Sequence, residues 1–366
     1  MFLGMHMANE LLTIPVAVWT LVLAAIAVAW AARQAGQDAD SDRIPLTGVM
    51  GAFVFAAQMI NFTLPGMPGT SGHLGGGVLL AILLGPARAI LCMAAILIVQ
   101  CLMFQDGGLL ALGCNIINMG VIPCLLGLGV YRLLLGPANR ARAWRQYLAA
   151  WGACIVALPA GAAMVPLEAG LAGVLRIPIG AFLAVMVGVH LLIGLVEGAI
   201  TFAVIAYVRQ VRPALVGAVS HAEGRERLKR FPVIVSLIVT ALLLAGVASW
   251  FTSTHPDGLE WSYVARSYGQ TGGGVENTSA QVAAADRWQS KWSLMTDYSK
   301  RAAPLGKEPV GQHGSAEGAA AETAWPNVTG WTSLAGVLGT CLTLGVVYGI
   351  ARVTRRYPRN DRPAGN

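Results

Sequence analysis

Apolar residues along this chain come in long runs, and the polar residues are gathered between them. A helix that crosses a bilayer needs about 20 mostly apolar residues. Runs of that kind fall near 12–32, 45–62, 86–104, 109–135, 147–168, 181–208, 232–251 and 331–352. A further apolar stretch, 75–84, lies between His73 and the Gly85-Pro86 break. It is too short for an ordinary span, so it reads as a short helix and turn packed inside protein. The pattern predicts an all-α polytopic membrane protein with about nine transmembrane helices.

The basic residues test that count. Arg33 and Arg43 follow the first run, and Arg132, Arg140, Arg142 and Arg145 follow the run at 109–135. Arg209, Arg212, Arg225, Arg227, Lys229 and Arg230 follow the run at 181–208, and Arg352, Arg355, Arg356, Arg359 and Arg362 follow the last. If nine helices alternate from an outside N-terminus, every cluster faces the cytoplasm, as the positive-inside rule requires. The opposite loops, 63–74, 105–108 and 169–180, contain only Arg176. Without a crossing at 75–84 the later clusters would fall on the wrong side. The expected location is the inner (plasma) membrane, with the C-terminus cytoplasmic.

Residues 252–330 differ from the rest. They are polar and rich in Gly, Ala, Ser and Thr, and they contain Trp288, Trp292 and Trp325 with little apolar periodicity. A weakly ordered extracytoplasmic loop is expected there. It divides the chain into a seven-helix unit, 1–230, and a two-helix unit, 231–366. The start of the sequence lacks a positive n-region and a small-residue cleavage site, so the first run reads as a retained helix rather than a signal peptide.

Composition excludes several classes. Of 366 residues 55% are hydrophobic and 12% charged, about half the charged share of a soluble domain. The net charge of +7 is divided among short loops, whereas a nucleic-acid surface needs its basic residues on one soluble face. The cysteines at 92, 101, 114, 124, 154 and 341 lie in apolar runs without a CxxC pair, which suits small core residues. There is no G-x-x-x-x-G-K-[ST] loop, no H-E-x-x-H and no Ser-His-Asp or paired-carboxylate arrangement, so neither P-loop ATP hydrolysis nor another enzyme activity is indicated.

Six histidines remain to be weighed. His6 lies in Met5-His6-Met7, and His73 in Gly69-Thr-Ser-Gly-His73-Leu-Gly-Gly-Gly77, where glycine lets the backbone bend tightly and approach a ligand closely. If translation begins at Met5, the free amine, the amide nitrogen of His6 and its imidazole can chelate one ion. His73 would then complete four nitrogens, a set suited to Ni(II) or Cu(II). If it begins at Met1, His6 is incidental. His190 and Glu197, two turns apart, share one helix face, and ionisable groups inside a membrane are functional candidates. Asn115 and Asn118, about one turn apart, can bond across helices or orient imidazoles bound to an ion.

Together these residues resemble a known family. Met5-His6-Met7, Gly-Thr-Ser-Gly-His73-Leu-Gly-Gly, Asn115-Ile-Ile-Asn118-Met-Gly and His190-Leu-Leu-Ile-Gly-Leu-Val-Glu197-Gly look like the metal-binding membrane component of the cobalt/nickel energy-coupling factor transporters, over about residues 5–210. Pro256-Asp-Gly-Leu-Glu260, preceded by His255, resembles the signature of that system's small accessory subunit, here fused behind it. The resemblance implies seven helices in the first unit and ligands from Met5, His6 and His73. It implies nickel or cobalt as the transported substrate, with no permanently bound cofactor. The implied partners are a transmembrane coupling subunit and cytoplasmic ATP-binding subunits that hydrolyse the ATP. Family members begin with Met-His, whereas Met1-Phe2-Leu3-Gly4 precede here, so Met5 is expected to be the true start. The small-residue run Ala24 to Ala32 could pack against the coupling subunit or internally, the internal contact being favoured. The competing reading is a component of the same architecture carrying an organic micronutrient such as a vitamin, for which replacing His73 would have no effect.

Overall fold

The computed structural model describes residues 6–37, 43–136, 143–211, 230–253 and 255–263, then 275–298 apart from 276 and 278, and 328–354 apart from 329. Its main helices, Ala280–Trp292 apart, follow the apolar runs. They are α1 (Ile14–Gln37), α2 (Arg43–Gln58), α3 (Gly77–Leu84), α4 (Pro86–Phe104), α5 (Leu112–Leu135), α6 (Ala143–Ala172), α7 (Ile179–Val211), α8 (Arg230–Gly246), α9 (Ala280–Trp292) and α10 (Gly330–Thr354). Six of them, α1, α4, α5, α6, α7 and α10, are long and apolar enough to cross a membrane, and α2 and α8 contain shorter apolar helices.

Burial separates these helices by role. α4 forms the centre, with Ala89, Ile90, Cys92, Met93 and Ile96 fully buried. α3 is apolar all round and almost wholly buried, as a helix too short to span must be. Gly76 and Gly85 bound it, both at positive φ (76° and 82°), and Pro86 opens α4 where its missing N–H costs nothing. At the opposite extreme α1 exposes Trp19, Leu23 and Ile26 and buries only Ala17, Thr20, Ala24 and Ala31. Such a helix suits contact with lipid on most of its circumference. Within its small-residue run Ala24 and Ala31 pack inward, while Ala25 and Ala29 face out.

Two helices are interrupted. α4 ends in a wider π-helical turn, Gln100–Phe104, and α5 carries two, Ile116–Val121 and Pro123–Gly127. Pro123 has no N–H to give to the preceding turn, which accounts for the break between the two segments of α5. Such wide turns recur at functional sites, and α5 borders the cavity described below.

The second unit docks on the first. α10 and α8 pack on α2, and Gly48 and Gly51 let α10 approach through Tyr348 and Val347. The segment expected as a weakly ordered loop behaves differently where it is described. Ser279 caps α9, and Val282, Ala285 and Gln289 turn inward against residues 9–11 and 100–104. The sequence contains few apolar residues there, so periodicity gave no signal. The side chain that anchors the helix is polar: Gln289 donates to the carbonyls of Cys101 (2.9 Å) and Gly107 (2.6 Å). Five of the six cysteines are buried and Cys341 is exposed, with no disulfide among the described residues.

Candidate metal centre

One cavity at the end of the bundle that carries the Arg-poor loops collects the singled-out residues. His6, His73, His190, Asn115 and Asn118 all line it, and so does Asp257 of the second unit. Met7, Met119 and Met186 also reach its wall.

The backbone around His73 is held from three directions. Residues 62–63 and 71–72 form a two-stranded antiparallel ladder that carries the chain up to His73. The Glu197 carboxyl accepts the N–H groups of Gly75 (2.6 Å) and Gly76 (2.9 Å), one on each oxygen. Gln58 donates to the Gly75 carbonyl at 2.7 Å and accepts from Gln100 at 3.0 Å. Toward the second unit Ser71 donates its N–H to the Pro256 carbonyl (2.8 Å) and its hydroxyl to the His255 carbonyl (2.9 Å). A carbonyl only accepts, so the contact of His73 Nδ1 with Leu74 O (3.1 Å) puts a ring proton on Nδ1.

Residues 6–9 are held just as firmly. Asn115 accepts the Met7 N–H at 3.0 Å and donates to the Met7 carbonyl at 3.2 Å, pairing with one residue as a neighbouring strand would. Gly107, at φ 86°, passes so close that an added Cβ would stand 2.9 Å from the His6 Cβ and 3.0 Å from the Asn115 amide nitrogen. The His6 ring is buried, with Nδ1 2.7 Å from Asp106 Oδ1. Its Nε2 has no hydrogen-bond partner among the described residues. The imidazoles of His6 and His73 lie 5.5 Å apart between centroids, tilted by 51°. An ion about 2 Å from a nitrogen of each ring would stand about 3 Å from each centroid, so the two rings are within reach of one ion.

The predicted residues divide by what they touch. His6 and His73 come together. Asn115 fixes the chain beside His6, and Glu197 fixes the loop of His73. His190 faces the same cavity with Nδ1 on the Met186 carbonyl (2.8 Å), which leaves Nε2 inward. Asn118 reaches across to Glu168 at 2.8 Å, and its Oδ1 has no partner among the described residues. Met5 lies outside the described residues. One detail differs from the expected chelate: a ring closed through the amide of His6 uses Nδ1, the atom that Asp106 holds. Among the described residues no three His, Cys, Asp or Glu side chains form a metal-holding group, so an ion here would need donors beyond such side chains.

Sequence reasoning missed Asp106, Glu168, Gln289 and Tyr298, and read Asp257 only as part of the Pro256-Asp-Gly-Leu-Glu260 signature. A signal existed for the first two. Between residues 43 and 211 the only acidic residues are Asp106, Glu168 and Glu197, and a carboxyl in so apolar a stretch has to be paired. Burial disfavours the charged form of Asp106. The charge of His6, hydrogen bonds from His6 and Tyr298, and the charge of His73 outweigh that and hold the carboxyl below its ordinary range. Asp257 accepts the Glu260 N–H at 2.7 Å, yet burial still pushes it up from the ordinary 3.8 to about 7.

Membrane-length helices around a cavity lined by imidazoles define a multi-pass membrane protein with room for a small ligand. Residues 6–215 match the family described as the cobalt uptake substrate-specific transmembrane region, and residues 231–356 match the PDGLE domain. The first match takes in more than half of the chain, and the chain belongs to that family, with the PDGLE domain fused behind it. This is a family of transporter components rather than enzymes. A Haloquadratum walsbyi protein named for metal transport is 38% identical over 192 residues, 52% of this chain and 84% of its own. An Archaeoglobus fulgidus protein named as the fused nickel transport protein NikMN is 38% identical over 212 residues, 58% of this chain and 67% of its own. A crystal structure of a truncated transition metal transporter superposes with a TM-score of 0.50 at 29% identity, covering 56% of this chain and 99% of that one.

Proposed function

We propose that this chain captures nickel or cobalt ions at the outer face of the inner (plasma) membrane, as the substrate-binding component of an ATP-driven energy-coupling factor transporter. A transmembrane coupling subunit and cytoplasmic ATP-binding subunits would supply the energy. The observation that carries the reading is the pair of imidazoles lining the cavity, 5.5 Å apart, with the buried Nε2 of His6 unpartnered among the described residues.

Nine helices alternate across the membrane in this reading: the six of full length, the apolar helices within α2 and α8, and α3 packed inside protein. The N-terminus is then outside, and units 1–230 and 231–366 share an outer surface. Met5 is the first residue, its amine joins His6 and His73 as ligands, and Asn115, Asn118, His190 and Glu197 support them. His6 offers Nε2 as it stands. A chelate through its own amide requires Nδ1 to leave Asp106. An organic micronutrient is less suited to a cavity that presents imidazole nitrogens.

Native mass spectrometry of the purified chain with equal nickel and cobalt tests this directly, because one spectrum reports the N-terminal mass and the bound ion. One ion on a chain that begins at Met5, lost in His73→Ala, is the expected result. A metal-free chain beginning at Met5 would overturn the metal reading. A metal-loaded chain that retains Met1 would keep the transporter and exclude the amine of Met5 as a ligand.

A further inference from the structure

Asp106 stands between the two units. One carboxylate oxygen faces His6 Nδ1 at 2.7 Å, and the other accepts the hydroxyl of Tyr298, from the second unit, also at 2.7 Å. Both partners are buried, and Asp106 itself is 2% exposed. The Tyr298 ring stacks on Phe104 (4.8 Å between centroids, 19° between planes) and meets Phe55 edge-on at 6.5 Å.

The backbone reinforces this contact. The N–H groups of Leu294 and Met295 both reach the Met103 carbonyl, at 2.9 and 3.2 Å. Among the described residues only Gln105 (φ 57°) and Tyr298 (φ 56°) are non-glycine residues at positive φ. Such strain persists only where the surroundings fix it. Both lie against Asp106, one next to it in sequence and one through its hydrogen bond. Two strained turns, from separate units, therefore meet at one carboxylate.

An imidazole that binds an ion through one nitrogen carries its proton on the other. A carboxylate accepting that proton fixes the tautomer, orients the ring and raises its basicity. We propose that Tyr298 is a positioning residue of the metal centre. It acts through Asp106 to set the orientation of the His6 imidazole, so that the second unit completes the site built by the first. This rests on the reading of His6 and His73 as metal ligands.

The test uses the full chain with nickel alone, comparing the parent with Tyr298→Phe, Tyr298→Ala and His73→Ala by calorimetric titration and by the nickel ligand-field absorption band. Tyr298→Phe keeps the ring stacked on Phe104 and removes only the hydroxyl. It is expected to weaken nickel binding about tenfold, the lower end of what loss of an outer-sphere partner costs, and to shift the band. Parent affinity with an unchanged band in Tyr298→Phe would overturn the proposal. So would a loss seen only in Tyr298→Ala, because packing would then suffice. Tighter binding in Tyr298→Phe would also overturn it, since the hydroxyl would then be holding His6 away from the ion. If His73→Ala binds as tightly as the parent, the ligand reading has failed, whatever Tyr298 does.

Discussion

A carboxyl with two oxygens can satisfy two separate N–H donors, and Glu197 does so for Gly75 and Gly76. A carboxamide has one acceptor oxygen, and its NH2 group would face the second donor. Glu197→Gln should therefore leave one buried N–H unpaired, at about 1–3 kcal/mol, and loosen the turn that carries His73. About tenfold weaker nickel binding in a calorimetric titration is expected, with the helical content unchanged by circular dichroism. Unchanged affinity would mean that Gln58 and Ser71 hold the turn without it. At this scale the sequence was informative where residues are scarce. Six histidines could each be weighed, and a Gly-rich frame pointed to His73. Tyr298 was illegible, because a tyrosine in a polar stretch has nothing to distinguish it until its distant partner Asp106 is known.

Helices six and seven of the bundle, α6 and α7, form its most extensive pairing. Gly194 and Gly198, one turn apart on α7, allow the close approach. A Cβ on Gly194 would stand 3.0 Å from the Cys154 carbonyl oxygen, and one on Gly198 2.8 Å from the Trp151 Cα. Small residues at this spacing are how membrane helices come together where no hydrophobic effect separates helix from lipid. Trp151 adds a hydrogen bond from its ring N–H to the Leu195 carbonyl at 2.7 Å. Gly198→Val should push α7 away from Trp151 and cost about 1–3 kcal/mol as overpacking does, seen as a lower melting temperature in detergent. A parent-like melting curve would mean that the crossing tolerates a side chain. The long helices were legible because each must be apolar over its length. The π-helical turns of α4 and α5 left no mark in the apolar pattern, and α9 lacks an apolar stripe because Gln289, rather than a hydrophobic residue, ties it down.

For the whole molecule, the proposed alternating topology puts the cavity and α9 on one side and the end of α10 on the other. In a Cys341→Ser background, Arg287→Cys should react with a membrane-impermeant maleimide in intact cells. Arg352→Cys should react only after permeabilisation. Both positions are exposed in the structure. The opposite pattern would invert the topology and with it the outward-facing metal centre. The fusion of the two units has a further consequence for the contacts that Gln289 and Tyr298 make. When both partners belong to one chain, docking is intramolecular, and effective concentrations within one chain reach the order of millimolar. A contact of only micromolar intrinsic strength would then be almost fully occupied. Fusion thus keeps the second unit beside Asp106 at a concentration that a separate subunit would have to reach by association.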